Sequence, residues 1–283
     1  MKISIRLLAA MVALACGQPA YAKAPVFVTW KPVADKPTVA LDGTRAYVML
    51  RTTARTALLL MKEPSAEDQV AYDKLRSEAL AKAHAKYVKK RAAYEQAKAN
   101  AARTKNNAIV VPDEPVEPTE QNFDFTPFGT MATVNLGPLF RFSKESGDRS
   151  TYLTALTPGS YRVYGPLSLV PGQPPVGSCF CMGSVRFEVK AGEIVDLGEL
   201  AGAGLFEAVP DFESLAVDAA HIVPATSEMP VDARLAGQKI VPAQYRPAGK
   251  LPNYYGVSID RLAAIPGVMR YERDNIVDLT AAN

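Results

Sequence analysis

The sequence CFCMGSVRFEVK, residues 179–190, indicates the fold class more clearly than any other stretch of this chain. Apolar and polar side chains alternate along it, as they do in a strand with one face in the core. One face carries Cys179, Cys181, Gly183, Val185, Phe187 and Val189, and the other carries Ser184, Arg186, Glu188 and Lys190. The pattern therefore predicts an amphipathic β-strand.

Further strand patterns lie on both sides of this stretch. Downstream, Ala-Gly at 191–192 predicts a turn, and residues 194–197 form a candidate return strand. Upstream, residues 139–142 alternate, and the sequence LTPGSY at 156–161 predicts a hairpin around Pro-Gly. These segments predict strands throughout residues 129–205.

The N-terminal part of the chain continues the strand pattern. Residues 25–64 contain short alternating segments around an Asp-Gly turn at 42–43, and the apolar run 57–61 is typical of a fully buried strand. We therefore predict a mainly β protein, with a β-sandwich formed by residues 23–64 and 129–205.

The two cysteines of the opening stretch have three interpretations. On a regular strand, Cys179 and Cys181 both point into the core, and we expect buried, free thiols there. A disulfide needs a bend, because alternate Cα atoms of a strand lie about 6.6 Å apart, near the upper limit for a bridge. Metal or redox chemistry is a third interpretation, but Met182, the soft ligand that would join them, falls on the opposite face.

A change in composition at Ser65 predicts one long helix over residues 65–105. This segment has no Gly or Pro, and Ser65 is a good N-cap with Glu67 and Asp68 in the first turn. It holds ten Lys and Arg against five Asp and Glu, net +5. At 1.5 Å per residue the helix is about 60 Å long.

The return segment, residues 106–128, complements this helix. It contains four prolines, five acidic residues and no basic residue, so its charge of −5 matches the helix. Extended, it reaches about 70 Å, enough to run back along the whole helix. We predict an antiparallel, coiled-coil-like arm, with the aromatic and β-branched residues of the segment covering a helix stripe. The segment contributes Ile109, Val110, Val111, Val116, Phe123, Phe125 and Phe128, and the stripe consists of Tyr72, Leu80, Ala83, Tyr87, Tyr94 and Ala101.

The helix also supplies the candidate partner-binding residues. Lys82, Lys86 and Lys89 lie within about 60° on the helical wheel, and Tyr87 and Tyr94 lie on the same helix. An unknown envelope protein is the expected partner, and an anionic glycolipid is the alternative. The net charge of +3 gives no argument for nucleic acid.

The N-terminus has the three parts of a secretory signal peptide. Lys2 and Arg6 precede about ten apolar residues, and Ala-Tyr-Ala at 20–22 is a small-x-small cleavage site. We expect cleavage after Ala22 and a periplasmic or secreted protein. Lipidation of Cys16 in a loose lipobox is the alternative, and no run is long enough to span a membrane.

The remaining candidates for chemistry are few. The C-terminal residues 206–283 contain seven prolines and predict a strap packed on the main domain, or else a small accessory region. Asp260, Glu272 and Asp274 could serve a hydrolase, but no catalytic motif or phosphate-binding loop is present. His84 and His221 lack the spacing of metal ligands, and we expect no catalytic residue, cofactor or metal.

The hairpin at 156–161 carries a resemblance to known β-sandwich modules. With the short strands that follow, residues 130–200 resemble prealbumin-type or carboxypeptidase-regulatory-type β-sandwich modules, such as those of Gram-negative envelope proteins. The resemblance implies a prealbumin- or immunoglobulin-like sandwich that binds or braces other parts without catalysis. The sequence thus predicts a non-catalytic envelope protein acting through protein contacts. A periplasmic hydrolase and a thiol- or copper-handling protein are the alternatives.

Overall fold

Strands and one long helix dominate the computed structural model, which describes residues 26–53, 56–104, 110–145, 147–202 and 220–281. In chain order the strands are β1 Trp30–Pro32, β2 Ala46–Thr52, β3 Leu58–Lys62, β4 Thr133–Leu136, β5 Ser143–Lys144, β6 Ser150–Leu156, β7 Gly159–Ser168, β8 Val176–Cys179, β9 Ser184–Val189, β10 Ile194–Ala201, β11 His221–Val223, β12 Ile240–Pro242, β13 Arg246–Gly249, β14 Ser258–Ile259, β15 Met269–Glu272 and β16 Asn275–Asp278. The helices are α1 Ala66–Thr104, the short α2 Phe128–Met131 and a 3₁₀ turn at Ala233–Leu235.

The strands form two seven-stranded sheets and a separate hairpin. The first sheet has the order β1-β6-β2-β10-β11, with β5 added beside β6 and β12 beside β10. The second has the order β13-β9-β7-β3-β4, extended through β8 and β14. Strands β15 and β16 form a separate antiparallel hairpin, and Met269 of β15 also bridges to Ile265. The predicted mainly β class with one long helix is confirmed.

Both sheets contribute to one hydrophobic core. Val48 and Leu50 of β2 meet Leu58 and Leu60 of β3 and Val163 of β7, all of them fully buried. The first sheet is also covered on its other side, where Tyr47, Met49 and Leu153 form a second cluster. Every residue of β2 is consequently buried, so this strand reads as a continuous apolar run broken only by Arg51 and Thr52.

The predicted single strand over 179–190 is wrong in its first part. Strand β8 ends at Cys179, a turn follows, and β9 begins at Ser184. The amide of Gly183 donates to the carbonyl of Phe180 across this turn, at 3.1 Å. A side chain at Gly183 would collide with the hydroxyl of Tyr271, which would lie 2.6 Å from its Cβ. From Ser184 onward the predicted alternation of buried apolar and exposed charged residues is confirmed.

Other predicted strands have mixed outcomes. The LTPGSY hairpin is confirmed, with β6 ending at Leu156 and β7 starting at Gly159. The candidate return strand extends over all of β10. The strand predicted for 139–142 is absent from the described residues, because Gly137 and Phe140 take positive φ values of 68° and 61° and turn the chain. Phe140 is 70% exposed as a result.

The C-terminal residues 220–281 extend both sheets. Strands β11 and β12 join the first sheet, and β13 and β14 join the second. Buried Tyr245 donates its hydroxyl proton to the carbonyl of Leu197 in β10, at 2.8 Å. This arrangement resembles the predicted strap with short strands. The predicted signal peptide, Cys16 and residues 206–219 lie outside the described residues, within which no helix could cross a membrane.

Candidate docking site on the helical arm

The helical arm consists of α1 and the return segment, and it starts at a capped, charged junction. The Ser65 side chain accepts from the amide of Asp68 at 3.1 Å, and the Asp68 carboxylate accepts from the amide of Ser65 at 3.0 Å. Asp68 also pairs with Lys62 of β3, whose side chain is only 6% exposed. Burial opposes ionisation of Asp68, but hydrogen bonds from Lys62 and Ser65 outweigh it and lower the pKa of this carboxyl.

Aromatic rings pack both parts of the arm, the helix α1 and the return segment, against the β-sheet part of the protein, which we call the β body. Phe27 lies against Phe128 and Tyr72, with ring centroids 4.8 and 6.4 Å apart. Tyr72 in turn contacts Phe125 at 5.5 Å and donates its hydroxyl proton to the carbonyl of Thr126 at 3.0 Å. Ala71, Tyr72 and Leu75 are the described residues of α1 that pack on the core. These core contacts of α1 all fall within its first ten residues.

Three side-chain pairs hold the return segment to the helix. Arg76 binds both the carboxylate and the carbonyl of Glu120, the latter at 2.7 Å. His84 lies 3.2 Å from Glu117, and Arg91 pairs with Glu114. As the helix number rises the segment number falls, which confirms the predicted antiparallel course.

The predicted helix stripe is covered along its length. Tyr72, Leu80, Ala83, Tyr87 and Ala101 are half-buried, and Tyr94 is buried. Arg91 and Lys98 lie 5.3 and 5.5 Å from the centre of the Tyr94 ring. The hydrogen bond from Arg91 is the main cause that lowers the pKa of the Glu114 carboxyl, and Tyr94 also donates to it.

The residues of the return segment that cover this stripe differ from the prediction. Phe123, Phe125 and Phe128 are half-buried as expected. Val110 and Val116 are 86% and 81% exposed, so the prediction that these valines cover the helix is wrong. Val111 is exposed as well, and Pro115 and Pro118 are half-buried instead. The two prolines lie three residues apart, the repeat at which side chains of a polyproline II segment return to the same face, so both can point toward the helix. Ile109 lies outside the described residues.

The lysines predicted to bind a partner occupy an open face of the helix. Lys82, Lys86 and Lys89 are all exposed, and they lie on a different side from the stripe that the return segment covers. Tyr94 does not join them, because the return segment and its own neighbours bury it. Tyr87 is half-buried beside His84, with the ring centroids 5.9 Å apart. The exposed candidate site is therefore the lysine face.

Cys179 and Cys181 form a disulfide, so the expectation of free thiols is wrong. The turn after Cys179 brings their Cα atoms to 5.0 Å, shorter than in a regular strand. The expected burial is confirmed, since the two residues are 0% and 5% exposed. Tyr164 and Leu251 pack in the same cluster. Neither sulfur is therefore open to a metal ion or a redox partner in this state.

Reducing this disulfide is expected to lower the free energy of unfolding by only about 1–2 kcal/mol. The bridge closes a loop of about three residues, and a short loop removes little entropy from the unfolded chain. Urea unfolding with and without a reductant measures the difference. Native protein should also resist alkylation until it is both reduced and unfolded. Unfolding upon reduction alone would contradict this expectation.

The other candidates for chemistry lie at or near the β15–β16 hairpin, where Arg261 donates to the carbonyl of Arg273 at 3.2 Å. Glu272 pairs with Arg270 at 2.6 Å, with both side chains more than half exposed. Asp260 accepts from the amide of Arg261 at 2.8 Å, and Asp274 lies in the turn between β15 and β16. Within the described ranges, no group of three or more His, Cys, Asp or Glu side chains is arranged to hold a metal ion.

A buried ion pair between β2 and β10 was not predicted from the sequence. Arg51 donates to both oxygens of Asp196 at 2.8 and 2.9 Å and to the carbonyl of Pro230 at 2.9 Å. Glu145 lies 3.6 Å from the Arg51 Nε and pairs with Arg149 at 2.6 Å. A charged residue inside each of two apolar strands, β2 and β10, is the signal that could have indicated this pair.

A surface cavity was also not predicted from the sequence. It has a volume of about 820 Å³ and lies where residues 33–42 cross the outer side of the first sheet. Trp30, Arg45 and Tyr47 are among its walls. Tyr47 accepts from the amide of Asp42 at 2.7 Å, which holds this loop against the sheet.

Comparisons of this chain with protein family models, with curated proteins and with solved structures found no match. The geometry of the arm and of the two sheets is therefore the basis for the functional proposal that follows.

Asp68→Asn is expected to loosen the base of the arm in a pH-dependent way. A carboxyl whose pKa is lowered in the folded state stabilises it above the unfolded pKa of about 3.9, and this contribution is lost as the pH falls through the folded value. At neutral pH the variant leaves Lys62 buried beside an amide, which should cost about 1–3 kcal/mol. Urea unfolding at several pH values measures the difference.

The matched control is Asp73→Asn, which removes an exposed carboxylate of the same helix. This control variant should change the free energy of unfolding by no more than about 0.5 kcal/mol. The difference in the free energy of unfolding between wild type and Asp68→Asn should disappear as the pH falls below about 4. A gap that persists unchanged in acid would show that Lys62 does not depend on the charge of Asp68.

Proposed function

We propose that this protein is exported, is cleaved after Ala22, and acts in the periplasm as a non-catalytic protein whose helical arm docks on another envelope protein. We also infer that the two sheets form a sandwich of prealbumin or immunoglobulin type. Their common core and the LTPGSY hairpin support that assignment. N-terminal sequencing of the protein from cells tests the export step and should find Lys23 first.

The single observation that carries the docking proposal is the way in which the return segment covers one side of the helix. Glu114, Glu117 and Glu120 pair with two arginines and one histidine of α1. The lysine face stays exposed. Such exposed ion pairs contribute little to stability, about 0–1 kcal/mol each. Because these pairs add so little stability, we infer that the role of the 39-residue helix is to expose the lysine face to a partner.

A protein partner fits the arm better than a lipid surface does. Membrane-surface helices carry a broad apolar face with bulky side chains beside their basic face. Here the large apolar residues of the stripe are covered by the return segment. The exposed large apolar residues of α1, Val70 and Val88, lie on another side of the helix from the lysine face. Acidic side chains on a partner would match Lys82, Lys86 and Lys89.

Site-specific photo-crosslinking in the cells that produce the protein tests this proposal. A photoreactive residue at Lys86 should give a discrete adduct that protease digestion removes. The matched control is the same residue at Lys190, an exposed lysine at the end of β9, which should give none. A protease-resistant lipid adduct at Lys86, or no adduct at Lys82, Lys86 and Lys89, would contradict docking on a protein.

A Lys82→Glu, Lys86→Glu, Lys89→Glu variant provides a second test in the same cells. Reversing the charge of the face should abolish an adduct formed by a photoreactive residue at Lys90, which lies beside it. Circular dichroism should show an unchanged helix content, since the three side chains are exposed. An adduct that survives this variant would place the partner on another surface.

A further inference from the structure

A third side of α1 faces neither the return segment nor the lysine face. Val70 and Val88 are 70% and 52% exposed on it, and Lys74, Ala81, Glu95 and Ala99 are exposed there too. At 100° per residue these six positions, which we call the outer seam, lie within about 60° on the helical wheel. The residues that meet the return segment are centred about 110° around the helix from them.

The outer seam is complementary to itself when two copies run in opposite directions. Val70 would face Ala99, Lys74 would face Glu95, and Ala81 would face Val88, because the two position numbers add up to 169 in each pair. In a two-fold interface residue i of one copy meets j of the other and j meets i, so every contact forms twice. We propose that a second copy of this chain binds here as an antiparallel helix pair.

Charge selects this direction and this register. In the antiparallel pair Lys74 lies opposite the Glu95 carboxylate, which already accepts from Arg91 at 2.6 Å and has lone pairs left for a second cation. A parallel pair would instead place Lys74 against Lys74 and Glu95 against Glu95, which is unfavourable. Just beside the seam, Glu67 and Arg103 also come opposite each other in the antiparallel arrangement.

The size of the side chains and the length of the seam suit such a pair. Ala81 and Ala99 are small, so the helix axes can approach at the lower end of the usual 8–10 Å range. From Val70 to Ala99 the contact extends about 44 Å along the helix. The successive spacings of four, seven, seven, seven and four residues keep the six positions on one face, as in a coiled coil.

This inference goes beyond the proposed function, because it names a second copy as the partner of a side of the arm other than the lysine face. The test is sedimentation of the full chain with charge-reversal variants. Lys74→Glu and Glu95→Lys should each weaken dimerisation about tenfold or more, since each opposes like charges twice. The double variant Lys74→Glu/Glu95→Lys should restore dimerisation to near that of wild type. A monomer at all concentrations, or a double variant no better than the singles, would overturn the proposal.

Cysteine crosslinking in a Cys16→Ser background tests the register. Ala81→Cys with Val88→Cys should form a disulfide-linked dimer on mild oxidation. Ala81→Cys alone should not, because the two copies of that residue lie about 10 Å apart along the axis, beyond the reach of a disulfide. Efficient crosslinking of Ala81→Cys to itself would indicate a parallel pair and would refute the proposed register.

The two proposals fail separately. If the chain is monomeric while Lys86 crosslinks to another protein, the seam pairing is wrong and the docking function stands. If the dimer forms with the predicted crosslink but Lys86 gives no adduct with another protein, the pairing stands and the docking function is wrong.

Discussion

Asp196→Ala is expected to lower the free energy of unfolding by about 3–5 kcal/mol. The Arg51 and Asp196 side chains are 2% and 6% exposed, so the variant leaves a buried guanidinium whose remaining carboxylate neighbour is Glu145, 3.6 Å from its Nε. The Asp196 carboxylate also accepts from the amide of Gly198 at 2.9 Å, and that hydrogen bond is lost as well. Urea unfolding followed by circular dichroism measures the change.

Two further variants show whether the effect comes from the unpaired charge. Glu272→Ala breaks an exposed pair and should cost no more than about 1 kcal/mol. Replacing both partners, as in Arg51→Met with Asp196→Leu, should recover most of the loss, because both charges of the buried pair are removed and Glu145 keeps its pair with Arg149. If the double variant were as unstable as Asp196→Ala, packing rather than charge would explain the cost.

Phe123→Ser with Phe125→Ser is expected to speed hydrogen exchange in α1 by about 30-fold while the β body stays folded. The two rings are half-buried, so losing them should cost about 2 kcal/mol in total, and each 1.4 kcal/mol is about tenfold in an equilibrium. A helix with little tertiary contact depends on such packing for its stability. Exchange monitored by mass spectrometry over residues 66–104 gives the result.

The matched control changes exposed residues of the same return segment. Val110→Ser with Val116→Ser should leave exchange in α1 unchanged, because both valines face solvent. Peptides from β2 and β7 should exchange equally slowly in all variants. Unchanged exchange in the helix of the phenylalanine variant would mean that the return segment does not stabilise it.

The arm could be predicted from the sequence because its determinants are local. Ser65 and the absence of Gly and Pro define the helix, and the matched lengths and opposite charges of two neighbouring segments define its partner. The valines were predicted wrongly because composition does not reveal which side chains of an extended segment face the helix. That choice depends on the register, which the pairs of Glu114, Glu117 and Glu120 fix in three dimensions.

The disulfide and the buried ion pair depend on distant parts of the chain. The turn that joins Cys179 to Cys181 packs under Tyr271, a residue about 90 positions further on. Arg51 and Asp196 are 145 positions apart and meet because β2 and β10 are adjacent in the first sheet. Strand periodicity indicated β2 and the first half of β10, but it carries no information on which strands become neighbours.

The course of the return segment is the central claim, and distances between spin labels test it most directly. One label replaces Val116, and the second replaces either Lys90 or Gln69, all three being exposed, in a Cys16→Ser background. Because Glu117 meets His84 and Glu114 meets Arg91, Val116 should lie beside the middle of α1. We expect a short, narrow distribution to Lys90 and a narrow one to Gln69 that is longer by about 15 Å or more. Broad distributions, or equal distances to both helix positions, would contradict an arm held together by its return segment.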